Sequence, residues 1–369
     1  MTRDEADKAS RDASIVLGLT LPGDTVLYLL LPLNAAAFGV SLAEAGVLLA
    51  ANRLVRIIGY GWVARFYEQH GPRRACLIAV LGAACATTGY AFLPSVWWLL
   101  PARLLWGLSF AAMNIATQAL ATAEPSGAAR RSGVSRAIIA AGPMVMLLVG
   151  AAVAEFAGPR VVFLGLGALS LLALPFAWRL PEGEGVKLGA GGPRFALPKS
   201  LDVWSFVQGF SLDGLFVLGL SFLAAATLPQ GAALAAGAAL SARYLAEVLL
   251  GPPAGRLADR FGAAQVLLVA TLGSALGLVV VGVGWLWAGS LLVVGLRGLL
   301  QPLPAPVAAA RVRPEERVAA LARMATWRDI GAGLGPLAAG VLLPLVPAVV
   351  LYLGAAAVLV VASLVALRK

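Results

Sequence analysis

Charge, histidine and cysteine are all scarce in this chain. Only 12% of its 369 residues are Asp, Glu, Lys or Arg, against roughly 25% in a soluble globular domain. That excludes a water-soluble enzyme. A single histidine, His70, excludes a multi-histidine metal site. The two cysteines, Cys76 and Cys85, share one apolar run and read as packing residues, not as a disulfide or metal pair. Met144 and Met146 point to different helix faces with no histidine near, so no metal is expected. Neither GxxxxGK[ST] nor GxSxG occurs, which argues against ATP as energy source and against a serine hydrolase, and no cofactor is expected. The 42 glycines have no period of three, and a 60% hydrophobic content is too high for disorder.

What the chain has is apolar length. Mean hydropathy is +0.88, and twelve apolar spans can be placed at about 14–37, 42–64, 74–93, 96–121, 132–154, 160–179, 201–226, 231–253, 264–284, 288–310, 320–342 and 345–367. Each approaches the ~20 residues that a helix needs to cross a bilayer. The runs are continuous and rich in Ala and Leu, where barrel strands would alternate, so the spans are helices. The first span is too long for a cleaved signal and lacks a small-residue cleavage pattern.

Basic residues set the expected orientation. The connections on the side of the N-terminus hold 19 Lys and Arg, including Arg65, Arg73, Arg74, Arg130 and Arg131, and the opposite side holds only Arg160. The positive-inside rule then places both termini in the cytoplasm, with the protein in the inner (plasma) membrane. The net charge of +10 is a topology signal, and no nucleic-acid partner is expected. Trp97, Trp98, Trp285 and Trp287 fall at outer span ends and Trp62, Trp178 and Trp204 near inner ends, where amphipathic rings settle.

The polar stretch 181–200 divides the spans six and six, giving bundles over 1–180 and 201–369 joined by a cytoplasmic linker. The halves read as copies: Arg103 and Arg297 are 194 apart, Gly61 and Gly255 also 194, Gly142-Pro143 and Gly335-Pro336 193, and GLTL at 18–21 and GFSL at 209–212 are 191 apart. Parallel six-helix repeats are one transporter architecture.

Several charges fall inside the spans, where even the lenient scale charges about 2.5–3.5 kcal/mol each at mid-bilayer. Arg53, Arg56, Arg103, Arg243, Arg297, Asp24, Asp213 and Glu247 are candidates for a polar cavity, with Asn52, Asn114, Gln118 and Gln301 as neutral companions and Tyr28, Phe216 and Tyr244 as candidate lining. Arg243 and Glu247 are i,i+4 and can pair on one face. Arg136, Arg323, Arg328 and Asp329 lie near inner ends and suit snorkelling or gate contacts.

These features resemble the major facilitator superfamily. Gly255-Arg256-Leu257-Ala258-Asp259-Arg260-Phe261-Gly262 is similar to its cytoplasmic loop motif after helix 8, and Arg103-Leu104-Leu105-Trp106-Gly107 to its helix-4 motif. Gly331 to Gly340, with Gly335-Pro336, is similar to the Gly-Pro motif of family exporters, which span 5 keeps only as Gly142-Pro143. Asp24-Thr25-Val26 with Pro32 is similar to the first-helix signature. The loop after span 2 departs from the pattern: Arg65 stands where the acid belongs, the loop is longer, and Glu68 is the candidate substitute.

The resemblance implies two six-helix bundles related by a pseudo-two-fold axis and a proton-coupled secondary transporter, of exporter type by the Gly-Pro motif. Asp24 is the first choice for the coupling proton and Glu247 the second, with Asp213 in reserve. Arg53, Arg56, Arg103, Asn114, Gln118, Arg243, Arg297 and Gln301 line the substrate cavity. Asp259 and Arg260, with Arg136 and Asp329, form the inner gate, Asp259 bracing the start of span 5. The excess of deep arginines favours an anionic or zwitterionic solute. An importer, a lipid flippase or a lipophilic-cation exporter on the same fold are the alternatives, and a membrane enzyme or sensor a remote one. The expected partners are a small-molecule solute, protons and the bilayer, and the expected state is a monomer.

Overall fold

A computed structural model describes residues 2–183, 197–217 and 232–367, with the backbone path alone for 232–240. The middle of the expected linker (184–196, with Lys187 and Arg194), the far half of span 7 and the terminal Arg368 and Lys369 lie outside the described residues. Within them every regular element is helical and no strand occurs. Among the described residues, seven helices are long and apolar enough to cross a bilayer. The charge-bearing helices Ala232–Phe261 and Arg317–Leu342 are not among the seven.

Span 1 is two helices, α1 (Arg3–Thr20) and α2 (Pro22–Leu33). It begins well before residue 14 because Thr2 caps the helix and Glu5 reciprocates, while Asp4 and Glu5 suit the positive helix end. Pro22 brings no N–H to the ladder, so the helix breaks there. α3 runs over the 51 residues Leu42–Phe92. A straight helix of that length would extend about 77 Å, more than two bilayer cores of ~30 Å, so it must double back. It does so at Gly71, whose φ of 77° is open to glycine and costly for other residues, just before Pro72. The long loop expected between spans 2 and 3 is therefore helical up to His70.

α4 (Ser95–Ala121) and α5 (Ala128–Ala157) are continuous. Span 6 divides into α6 (Pro159–Leu171) and α7 (Leu174–Trp178), with Pro175 opening the second piece. α8 (Ser200–Gln208) passes into a π-helical segment, Gly209–Leu215. α9 (Ala232–Phe261) and α10 (Ala263–Gly282) follow. Span 10 is not one helix: α11 (Leu286–Leu300) ends before Pro302, and α12 (Pro304–Ala309) restarts. α13 (Arg317–Leu342) and α14 (Ala348–Leu367) complete the chain.

Large apolar side chains such as Leu54, Ile58, Ile78, Leu276 and Leu337 face outward, as a chain solvated by lipid requires. Trp62, Trp97, Trp98, Trp178, Trp285 and Trp287 are exposed with them. Trp204 is different: it is buried, a core residue and not an interface ring.

The chain divides into two compact units, Met1–Ser126 with Ile138–Phe195, and Gly127–Ala137 with Ala196–Lys369. The first eleven residues of the second unit thus carry the start of α5. Each unit has one very close helix crossing made by the repeated glycines. In the first, a Cβ on Gly142 would lie 2.0 Å from the Gly18 carbonyl oxygen. In the second, a Cβ on Gly335 would lie 2.3 Å from the Phe210 carbonyl, and one on Gly331 2.0 Å from that of Phe206. Backbone cannot give way as a side chain can, so these positions exclude any larger residue. The Gly-Pro motifs of the two halves therefore serve the same packing purpose.

Candidate functional site

The first unit is organised around Arg103. Its guanidinium, on α4, is fully buried. Nη1 donates to Asp24 Oδ1 at 2.5 Å and to the Tyr90 hydroxyl at 3.4 Å, and Nε donates to the Leu48 carbonyl at 3.1 Å. The Tyr28 ring lies 5.5 Å from the same guanidinium. Asn52 donates its amide to the same Asp24 oxygen at 2.9 Å. The four-residue step from Arg103 to Gly107 has a physical reason. A Cβ on Gly107 would come within 2.8 Å of the Asn52 carbonyl, so only glycine lets α4 approach α3 closely enough for the arginine to reach past it. Arg56 is buried with its guanidinium 4.6 Å from the Phe110 ring centre. Arg53 is half-buried on the same helix. Asn114 and Gln118 meet each other one turn apart on α4, Gln118 donating at 3.0 Å.

The second unit repeats the device with more charges. Arg297, on α11, bridges two acids: it donates to Asp213 Oδ1 at 2.6–2.7 Å and to Glu247 Oε1 at 2.6 Å. Arg328, on α13, closes on the other Asp213 oxygen, with Nη2 at 2.8 Å and Nε at 3.1 Å. Arg243 stands 3.7 Å from Asp213 and 4.0 Å from Glu247. Gln208 donates to Asp213 at 3.3 Å. With its oxygen turned to the guanidinium groups, the Gln301 amide accepts from Arg297 at 2.9 Å and Arg328 at 3.2 Å. Arg136 belongs to the same field, the charges acting on it most being Glu247, Arg328, Arg297 and Asp213. Three guanidinium groups, those of Arg243, Arg297 and Arg328, thus stand against two carboxylates, and Arg136 adds positive charge to the same field.

Several expected places change. Arg328, read as a snorkelling or gate group, sits in the centre of this cluster. Arg136, read as a gate partner of Asp259, feels the charges of this cluster most. The loop after α9 does meet the start of α5, but through backbone: a Cβ on Gly255 would lie 2.5 Å from the Ala129 carbonyl and 2.8 Å from the Arg130 Cα. Asp259 itself is exposed and pairs with no described residue, and Arg260 is exposed with its guanidinium 5.2 Å from the Phe261 ring. Gly255→Val is therefore expected to lower the melting temperature in detergent, overpacking costing ~1–3 kcal/mol, while Asp259→Asn leaves it unchanged. A thermal scan of both variants checks this.

Tyr90, Asp202 and Gln208 escaped the sequence. Asp202 is buried at the start of α8, where it accepts from the Lys199 N–H at 2.8 Å and from Arg323 Nε at 2.5 Å. It stands at the edge of span 7 and its partner is 121 positions away, so no local pattern marks it. Gln208 carried no signal beyond being polar in an apolar run. Phe216 is buried, Tyr244 lies beside Arg243, and Tyr28 donates to the Leu49 carbonyl at 3.0 Å.

The comparisons with known proteins agree with this architecture. The model of the Major Facilitator Superfamily matches residues 13–228 and 204–369. No curated protein sequence matches. Among solved structures, the human organic anion transporter MFSD10 (TETRAN) superposes with a TM-score of 0.81 at 16% identity, over 100% of both chains. The proton:xylose symporter XylE superposes with a TM-score of 0.73 at 14% identity, over 99% of this chain and 95% of its own. With the family model covering nearly the whole chain, this multi-pass membrane protein belongs to the Major Facilitator Superfamily and is a transporter, not an enzyme.

Proposed function

We propose that the protein is a secondary active transporter that works by alternating access and exports a small organic solute carrying negative charge, anionic or zwitterionic, in exchange for protons. The observation that carries this reading is the cationic excess in the second unit: three arginines against the carboxylates of Asp213 and Glu247, with Arg243 and Arg328 still a quarter or more exposed. A buried cluster of that balance favours an added anion. Among the similar structures is one whose name describes an organic anion transporter. A lipophilic-cation exporter would need a carboxylate open to its substrate, whereas Asp24, Asp213 and Glu247 are each held by an arginine.

In this reading Asp24 carries the coupling proton, with Glu247 as second choice, because a buried acid can take up and release a proton as its surroundings change. Arg53, Arg56, Asn114 and Gln118 are substrate contacts of the first bundle, and Arg243, Arg297 and Gln301 of the second. Bundles 1–180 and 201–369, a linker at 181–200, both termini in the cytoplasm and a plasma-membrane monomer complete it. The distribution of 19 Lys and Arg against one supports the orientation.

Transport by the purified protein in proteoliposomes, with an imposed pH gradient and a panel of anionic, cationic and neutral solutes, tests the proposal. Accumulation of anions that follows the gradient is expected, and uptake that ignores the gradient removes the proton. Arg103→Lys is expected to impair transport as well. An ammonium cannot span Asp24 and the Leu48 carbonyl as the planar fork does. Losing a buried hydrogen bond to a charged group costs ~1.5–3 kcal/mol, to be read as a lower melting temperature and slower uptake.

A further inference from the structure

We infer that Asp213 is a built-in competitor of the substrate: the carboxylate of an organic anion binds Arg328 and Arg243 by displacing Asp213 Oδ2 from Arg328. This rests on the anionic reading above and names the groups that read the anion. Asp213 itself shows what the pair accepts. Its Oδ2 is gripped by Arg328 through Nε at 3.1 Å and Nη2 at 2.8 Å, the side-on geometry that guanidinium offers to a carboxylate.

The three arginines around Asp213 are not equivalent. Arg297 has a side chain only 2% exposed and holds a second acid, Glu247, at 2.6 Å. It keeps Asp213 Oδ1 at 2.6 Å when the other oxygen is given up. Arg243 and Arg328, 25% and 29% exposed, are the more open of the three to a solute. Arg243 is also incompletely satisfied: its Nε is buried without a hydrogen-bond partner, and its nearest carboxylate oxygens are 3.7 and 4.0 Å away. An incoming carboxylate supplies the missing acceptor there and takes the place of Oδ2 on Arg328. The displaced acid retains Arg297 on Oδ1, so no charge is stranded. Asp213 also sits in the π-helical segment Gly209–Leu215, a rare helix form that recurs at functional sites. The exchange needs no covalent step, only a rotation of one side chain.

The full-length protein in lipid nanodiscs is titrated with benzoate, hexanoate and lactate, and with benzamide as the neutral control, in wild type, Asp213→Asn and Arg328→Gln. Asp213→Asn is expected to bind the carboxylates about tenfold more tightly, with benzamide unchanged, and Arg328→Gln to lose carboxylate binding. Equal or weaker carboxylate binding by Asp213→Asn, with binding retained by wild type, overturns the competition and leaves the anionic reading standing. Binding of no carboxylate to any of the three proteins overturns both. Because Asp213→Asn can fail to fold, the wild-type protein is also followed by infrared difference spectroscopy with ¹³C-carboxyl benzoate. A shift of a protein carboxylate band on binding is expected, and its absence while benzoate binds overturns the competition.

Discussion

Asp24→Asn is expected to abolish gradient-driven accumulation in proteoliposomes while solute exchange at equal pH persists. The carboxylate is buried in the first turn of α2, with one oxygen taken by both Arg103 and Asn52. Asparagine keeps the shape and an accepting oxygen but has no proton to exchange. The substitution has a second effect, because Arg103 is fully buried and loses its counter-ion. Breaking one partner of a buried pair costs ~3–5 kcal/mol, so the melting temperature should fall as well. The double variant Asp24→Asn/Arg103→Gln removes both charges and should recover stability without recovering coupling. If Asp24→Asn accumulates solute as well as wild type, the proton belongs to Glu247 or Asp213.

The largest loss of stability is expected from Arg297→Met. This one guanidinium neutralises acids from two different elements, Asp213 in the π-helical segment and Glu247 on α9. Its removal leaves Glu247 with only the 4.0 Å contact to Arg243 among the ion pairs described. The same ~3–5 kcal/mol applies, and for a buried bridge the upper part of that range is expected. Arg297→Lys should recover part of it, since one ammonium serves one carboxylate better than two. Arg243→Gln is the comparison: its contacts are longer and a quarter of its side chain is exposed, so its effect should be small. Thermal unfolding of the three variants in one detergent orders them. A melting temperature for Arg297→Met equal to that of Arg243→Gln would show that the bridge carries no stability.

Some of the site was legible in the sequence and some was not. The offsets between halves singled out Arg103 and Arg297, and both proved to be the buried anchor of an acid in their own unit. The i,i+4 spacing of Arg243 and Glu247 was visible, but at 4.0 Å that pair is the weaker contact, and Arg297 holds Glu247 at 2.6 Å. Position along a span did not reveal that Arg328 pairs with Asp213. Depth in a sequence window says how far a residue lies from a span end, not which way it points. The Gly-Pro motifs were recognisable as pattern, and their purpose became visible only when each glycine met a backbone carbonyl at a helix crossing.

Composition and hydropathy alone determined that the chain lives in a bilayer as helices, because a segment without water must satisfy its backbone internally. The duplication and the family motifs determined the architecture, since both are properties of order and spacing along the chain. The tertiary structure alone decided which charge meets which. The decisive pairs, Asp24 with Arg103, Asp213 with Arg297 and Asp213 with Arg328, lie 79, 84 and 115 positions apart. A buried ion pair forms where helix packing brings two side chains within about 3 Å of each other, and that proximity leaves no periodicity in the sequence for a reader to find.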